Sequence, residues 1–173
     1  MPEHDVTHPE DLTQRIVDLA VRGLGRVEEA RPMAEKLLAV EVLTPEGNFS
    51  SYPPHKHDVA NPEAPEVELE EVYYFRFSKD DGYGFFRQWA ADGAFDMTML
   101  VRNGDIVLCP KGYHGPTIAV PGYHMYFLNA MAGPGPERIW CASDDPSHAW
   151  IKENWEELGP DPRLPITTYE GVV

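Results

Sequence analysis

The sequence predicts an all-β protein, a small antiparallel sandwich or barrel with an N-terminal helix and a short C-terminal helix. Three observations carry this. Apolar residues keep a helical spacing before Lys36 and change to a period of two after it. Turn signals rich in Gly, Pro, Asn and Asp then recur between short apolar runs. Glycine (14) and proline (17) are together too abundant for a helical bundle and ordinary for a turn-rich β fold.

Taken in order, residues 1–36 form a helical extension. From Asp11 to Ala30, apolar residues fall at Leu12, Ile16, Leu19, Ala20 and Leu24, with Gln14, Arg15, Asp18 and Arg22 on the other face. Thr7 or Asp11 can cap this helix, and Gly23 and Gly25 weaken or end it. An amphipathic helix needs a surface for its apolar stripe, and its own domain is the simplest one. Residues 37–158 then read as one β domain. Its predicted strands are Leu37–Leu43, Val67–Phe77, Phe85–Trp89, Met97–Val101, Ile106–Cys109, Thr117–Val120 and Tyr123–Asn129. The turns between them centre on Pro45-Glu46-Gly47, Asp80-Asp81-Gly82, Ala91-Asp92-Gly93, Asn103-Gly104-Asp105, Pro110-Lys111-Gly112 and Val120-Pro121-Gly122. The acidic, proline-containing stretch Asp58–Glu66 is a loop. Asp144-Asp145-Pro146 reads as a turn and helix cap, with Trp150 and Trp155 packing the C-terminal helix. Residues 159–173 are a proline-rich tail expected to wrap the surface.

Composition excludes several functions. A net charge of −15 repels phosphate backbones and anionic membranes, so neither nucleic acid nor membrane is an expected partner. The start of the chain has no basic segment followed by an apolar run, and no stretch approaches the roughly 18 apolar residues of a span. Two cysteines, Cys109 and Cys141, are too few for a disulfide framework, so a reduced, cytoplasmic setting is expected. Cys109 reads as a small buried hydrophobe of its strand.

Three motifs carry chemistry. In Pro53-Pro54-His55-Lys56-His57 the prolines hold an extended approach. His55 and His57 then point to one face, a way for a β-protein to offer two metal ligands from three residues, with Lys56 on the reverse. In the following strand, alternation places Val67, Leu69, Glu71, Tyr73, Phe75 and Phe77 on one face, so the carboxylate of Glu71 falls in an apolar and aromatic row. Buried without a partner it would cost several kcal/mol or stay protonated; a metal ion or an arginine such as Arg87 resolves this. The third motif, GDIVLCPKGYH over residues 104–114, is a glycine turn, a short buried strand, a Pro-x-Gly turn and a histidine.

Together these resemble the cupin superfamily, whose first motif supplies His-x-His and a later Glu, and whose second supplies Gly-x5-Pro-x-Gly followed by His. The resemblance implies a single cupin, the small β-barrel known as a double-stranded β-helix or jelly roll. Carried over by position, it implies that His55, His57, Glu71 and His114 hold one divalent ion, with Zn, Mn, Fe, Co and Ni about equally suited. The sequence departs from the pattern in a long interval between His57 and Glu71, in a single residue between Gly112 and His114, and in Ile118 where an Asn is often found.

A closer resemblance, through VEVLTPEGNFSSYPPHKHD, LEEVYYFRF, GDIVLCPKGYHGPTIAVPGYHMYFLNAMAGP and DDPSHAWI, is to the 5-deoxy-glucuronate isomerase family of bacterial myo-inositol catabolism. It maps onto the C-terminal, metal-bearing half of two-cupin chains, with the Asp11–Ala30 helix standing where the other cupin would be. It implies a metal-dependent aldose–ketose isomerase acting on a small anionic sugar acid, 5-deoxy-D-glucuronate to 2-deoxy-5-keto-D-gluconate for the namesake. His124 stands where an acidic residue is expected, a change that bears on specificity if the position touches substrate.

Such a reaction moves a proton between neighbouring carbons and needs a base with a pKa near working pH. Glu71, His124, Tyr73 and Tyr126 are the candidates, and sequence does not choose among them. The substrate carboxylate calls for a cation, and Arg87, Lys56 and Lys111 are the basic residues near the motifs. Arg87 shares a face with Phe85 and Trp89, consistent with an inward guanidinium. Two other readings share the ligand set: an iron-dependent cupin dioxygenase and a non-catalytic sugar-binding cupin. A homodimer or larger assembly is expected through sheet edges or the N-terminal helix.

Overall fold

A computed structural model describes residues 37–155 apart from Pro62 and Pro65, together with 157, 159, 167–168 and 171–172. The helix expected over Asp11–Ala30 and most of the tail lie outside the described residues.

Among the described residues twelve strands follow one another: β1 (Leu38–Thr44), β2 (Phe49–Ser50), β3 (His55–Lys56), β4 (Glu70–Phe77), β5 (Tyr83–Trp89), β6 (Asp96–Arg102), β7 (Ile106–Cys109), β8 (Tyr113–Ala119), β9 (Met125–Ala132), β10 (Ser143–Asp144), β11 (Thr167–Thr168) and β12 (Gly171–Val172). One sheet has the order β1-β9-β4-β7. A second runs β10-β3-β8-β5-β6, with β2 also paired to β8, and β11 pairs with β12 in a separate two-stranded sheet. All these pairings are antiparallel. The jelly-roll reading of the sequence holds.

Alternation decides what lies between the sheets. On β4 the inward row is Glu71, Tyr73 and Phe75; on β9 it is Met125, Phe127, Asn129 and Met131; on β5, Gly84, Phe86 and Gln88. The apolar members join Val101, Val107, Cys109 and Ala119 in one core. The rings of Tyr73, Phe75, Phe86 and Phe127 meet one another at centroid distances of 4.8–6.1 Å. Each large side chain removed from water contributes roughly 1.5–3 kcal/mol. Burial raises the Cys109 thiol well above its ordinary pKa, in keeping with a hydrophobic role.

The differences from the sequence reading concern short elements and ends. Strands β2, β3 and β10 have two residues each, too few for alternation to register. Strand β8 begins at Tyr113, so His114 belongs to a strand instead of the turn before it. The Asp-Asp-Pro segment is indeed a turn, closed by the bond from Ser147 N to Asp145 Oδ1 at 2.8 Å. It provides no side-chain cap to the short 3-10 helix Ala149–Asn154 that follows. Trp150 and Trp155 do not pack this helix onto the domain; they are 60% and 46% exposed.

Candidate metal centre

Three chain segments bring the predicted ligands together. His55 opens β3 and lies opposite His114 of β8. The loop 58–68 leaves after His57 and returns to it: Leu69 N donates to His57 O at 2.7 Å, so the long interval before Glu71 costs no alignment. Gly112 and Gly115 bracket His114, both with positive φ. A side chain at either would collide with backbone, of Trp89 at Gly112 and of Ser51 at Gly115, so this path suits glycine alone.

The imidazoles are oriented by backbone carbonyls. Nδ1 of His55, His57 and His114 lies 3.0, 3.0 and 3.2 Å from the carbonyl oxygens of Pro53, Leu69 and Gly112. A carbonyl can only accept, so each Nδ1 carries the proton and each Nε2 is left as a donor atom. The ligand nitrogens of the three rings lie within 4.8 Å of one another. Glu71, 3% exposed, faces two of them: its Oε2 is 3.0 Å from Nε2 of both His57 and His114. Its other oxygen accepts a hydrogen bond from the Asn129 side-chain amide.

The electrostatics follow from burial and proximity. Burial and the neighbouring His114 lower the pKa of His55 to about 4. Burial opposes ionisation of Glu71, but the His114 and His57 imidazoles beside it outweigh it and carry the carboxyl down to about 2. Burial likewise opposes a charge on His57, yet the Glu71 carboxylate prevails and raises its pKa. With Nδ1 already donating, His57 Nε2 can sit this close to a carboxylate oxygen only with a second proton or a cation between them. His114 Nε2 is buried and, although 3.0 Å from Glu71 Oε2, makes no hydrogen bond of good geometry. An orphaned, carbonyl-oriented imidazole nitrogen beside a carboxylate fits a divalent cation, which needs such oriented donors.

The surrounding charges brace the ligands. Lys56 Nζ lies 2.9 Å from Asp58 and 2.6 Å from Glu66, itself 6% exposed. Asp58 Oδ2 in turn accepts from Gly112 N at 2.7 Å, tying the His-x-His segment to the turn that precedes His114. Gln88 Nε2 donates to Lys111 O in that same turn at 3.0 Å. Trp140, 55% exposed, stands edge-on to His55 with ring centroids 6.1 Å apart.

Several residues proposed from sequence lie elsewhere. Lys56 is on the reverse of β3, bonded to two carboxylates. Arg87 is not inward: it shares the outer face of β5 with Phe85 and Trp89, bonds Asp96 through Nε and Nη2 at 3.0 and 2.8 Å, and covers the Trp89 ring at 4.2 Å. Lys111 is exposed. Tyr126 is on the outer face of β9, donating to Glu41 at 2.8 Å. His124, bonded to Glu46 N, precedes the end of β9 that pairs with Phe77, whereas Glu71 pairs with Met131. Six residues of strand separate those ends, about 20 Å. Of the four candidate bases, only Glu71 and Tyr73 are interior, the Tyr73 ring lying 6.1 Å from that of His114. Sequence reasoning missed Asn129, Gln88, Asp58 and Glu66. The alternation that selects Glu71 selects Asn129 and Gln88 too, since each is a polar member of an inward row.

Residues 17–151 match the family model described as KduI/IolB. The chain is 49% identical over 146 residues to a 5-deoxy-glucuronate isomerase of Geobacillus thermodenitrificans, covering 80% of this chain and 52% of the relative. It is 48% identical over 121 residues to one of Lacticaseibacillus casei, covering 69% and 43%. Among solved structures it resembles an IolB-like protein of Salmonella typhimurium LT2, with TM-score 0.63 and 45% identity over 68% of this chain and 43% of that one. The chain thus spans about half the length of the curated relatives it matches.

Proposed function

The chain belongs to the KduI/IolB family, and from that premise we propose that His55, His57, Glu71 and His114 form one divalent-metal centre for the aldose–ketose isomerisation of a sugar acid. The reference reaction is 5-deoxy-D-glucuronate to 2-deoxy-5-keto-D-gluconate, after the activity named for the relatives. The observation that carries the reading is the set of three imidazoles, each with Nδ1 committed to a carbonyl, beside a buried carboxylate.

When bound, a divalent ion supplies Lewis-acid polarisation of the sugar's carbonyl and hydroxyl oxygens. The chain's own groups do the rest. Three neutral imidazoles and one carboxylate suit Zn, Mn, Fe, Co or Ni. With such an ion the centre is net positive, which supports an anionic substrate where Lys56 and Arg87 are engaged elsewhere. Burial, reinforced by the charge of Glu71, pushes the Tyr73 hydroxyl well above its usual pKa, so it stays neutral and can offer a hydrogen bond. Among the described residues no helix is long and apolar enough to cross a membrane, and the free thiols Cys109 and Cys141 support a cytoplasmic enzyme.

The test is turnover of 5-deoxy-D-glucuronate followed by NMR, in metal-free protein and after loading with each of the five metals, with oxygen uptake recorded in parallel. Ketose forming with at least one metal, none without metal and none in His57→Ala is the expected result. Oxygen uptake without ketose would establish the dioxygenase reading instead. Binding of the sugar acid without conversion would establish a non-catalytic module.

A further inference from the structure

We propose that Asn129 is a positioning residue for this centre: its side-chain amide holds one oxygen of Glu71 so that the other is presented to the imidazoles. The inference rests on the metal reading above. It starts from an anomaly of the core. Asn129 is 5% exposed and occupies the inward row of β9 between Phe127 and Met131, where an apolar side chain would pack. Its Oδ1 is buried with no hydrogen-bond partner. A buried, unsatisfied carbonyl is a liability for stability, so packing does not account for the residue.

What Asn129 does make is a bond to the one carboxylate of the site. Its Nδ2 donates to Glu71 Oε1, while Glu71 Oε2 lies 3.0 Å from Nε2 of both His57 and His114. The two oxygens of a free carboxylate are equivalent, and rotation about the last side-chain bond exchanges them. A donor fixed on one side removes that freedom. Asn129 is well placed for this because β9 pairs with β4 so that Asn129 lies opposite Tyr73, with Glu71 on the same inner face two residues along. The three imidazoles are oriented by backbone carbonyls; the carboxylate is oriented by a side chain, and that side chain is Asn129. An outer partner of this kind typically governs 10–100-fold in metal affinity.

The experiment compares wild type, Asn129→Leu, Glu71→Gln and the double variant by Co(II) titration, reading the dissociation constant and the visible absorption of the bound ion. Thermal melting of the metal-free proteins is measured beside it. Asn129→Leu is expected to weaken Co(II) binding about 10–100-fold and to change the Co(II) spectrum. Its metal-free melting temperature is expected to change little, relief of the Asn129 carbonyl offsetting the donor that Glu71 loses. In the Glu71→Gln background the same substitution should add little further loss, because the residue acts through Glu71. Asn129→Asp, of equal size but presenting an acceptor to the carboxylate, gives the same readout if the leucine variant does not fold, and should bind as weakly. Unchanged affinity and spectrum would overturn the inference, as would full additivity with Glu71→Gln or a loss that merely follows a lowered melting temperature. Failure of wild type itself to bind Co(II) would instead overturn the metal reading beneath it.

Discussion

Strands β4 and β9 run side by side through two environments. At one end of their shared inner face Phe75 pairs with Phe127; two residues along each strand Tyr73 meets Asn129, and beyond that lies Glu71. The same alternation and backbone bonds serve both ends. At the Phe75 end, side chains were selected to exclude water and each other's voids. At the Glu71 end, buried polar groups are held by hydrogen bonds, and His114 Nε2 and Asn129 Oδ1 make none. One end stabilises the barrel, and the other spends stability on a prearranged donor set.

Substitutions should separate the two ends. The largest effect belongs to the apolar end: Phe75→Ala, at a site of 0% exposure, should lower unfolding free energy by about 3–5 kcal/mol in urea denaturation. The metal affinity of its folded fraction should stay at the wild-type value. Next, His114→Ala should weaken binding of Zn(II) or Mn(II) by more than ~100-fold, beyond the range of an outer-shell loss, while metal-free stability changes far less than in Phe75→Ala. If the two variants lost both properties together, the division between the ends would be broken.

The pH dependence sharpens the same contrast at smaller scale. The proton on His57 competes with a metal, and Glu71 raises its pKa above 6.5. Metal affinity should therefore begin to fall as pH drops through that raised value. In metal-free protein the sign reverses. The His57–Glu71 pair contributes stability that is complete below 6.5 and lost as pH rises through the raised value. His55, lowered to about 4, costs stability as pH falls below 6.5, where its unfolded form takes up a proton, so the comparison is made above that value. Glu71→Gln should flatten both trends, and melting scans with metal titrations between pH 6.5 and 9 would reveal it. The smallest effect is expected for Arg87→Ala on the outer face: metal affinity, substrate KM and melting temperature all at wild-type values.

Much of this division was legible in the sequence. The His-x-His spacing, the polar interruption at Glu71 and the glycine turns around residues 104–114 located the site because each rests on local backbone geometry. Alternation says which residues share a face; it does not say which face is inside. Arg87 was correctly grouped with Phe85 and Trp89, but that row is the outer one, where the guanidinium and Tyr113 cover the indole. Nor does alternation say how far along a strand a residue lies, which is why His124 was grouped with a site about 20 Å away. The engagement of Lys56 by Asp58 and Glu66 depends on the return of a loop whose closure only the fold reveals.

The central claim is that these four side chains hold one ion. Diffraction from crystals of the full chain soaked in Zn(II) or Mn(II), recorded at the absorption edge of that metal, tests it directly. The account requires one anomalous peak bounded by Nε2 of His55, His57 and His114 and by Glu71 Oε2, at ligand distances of about 2.0–2.2 Å. Absence of a peak there at full soaking, or a peak held by other residues, would contradict it.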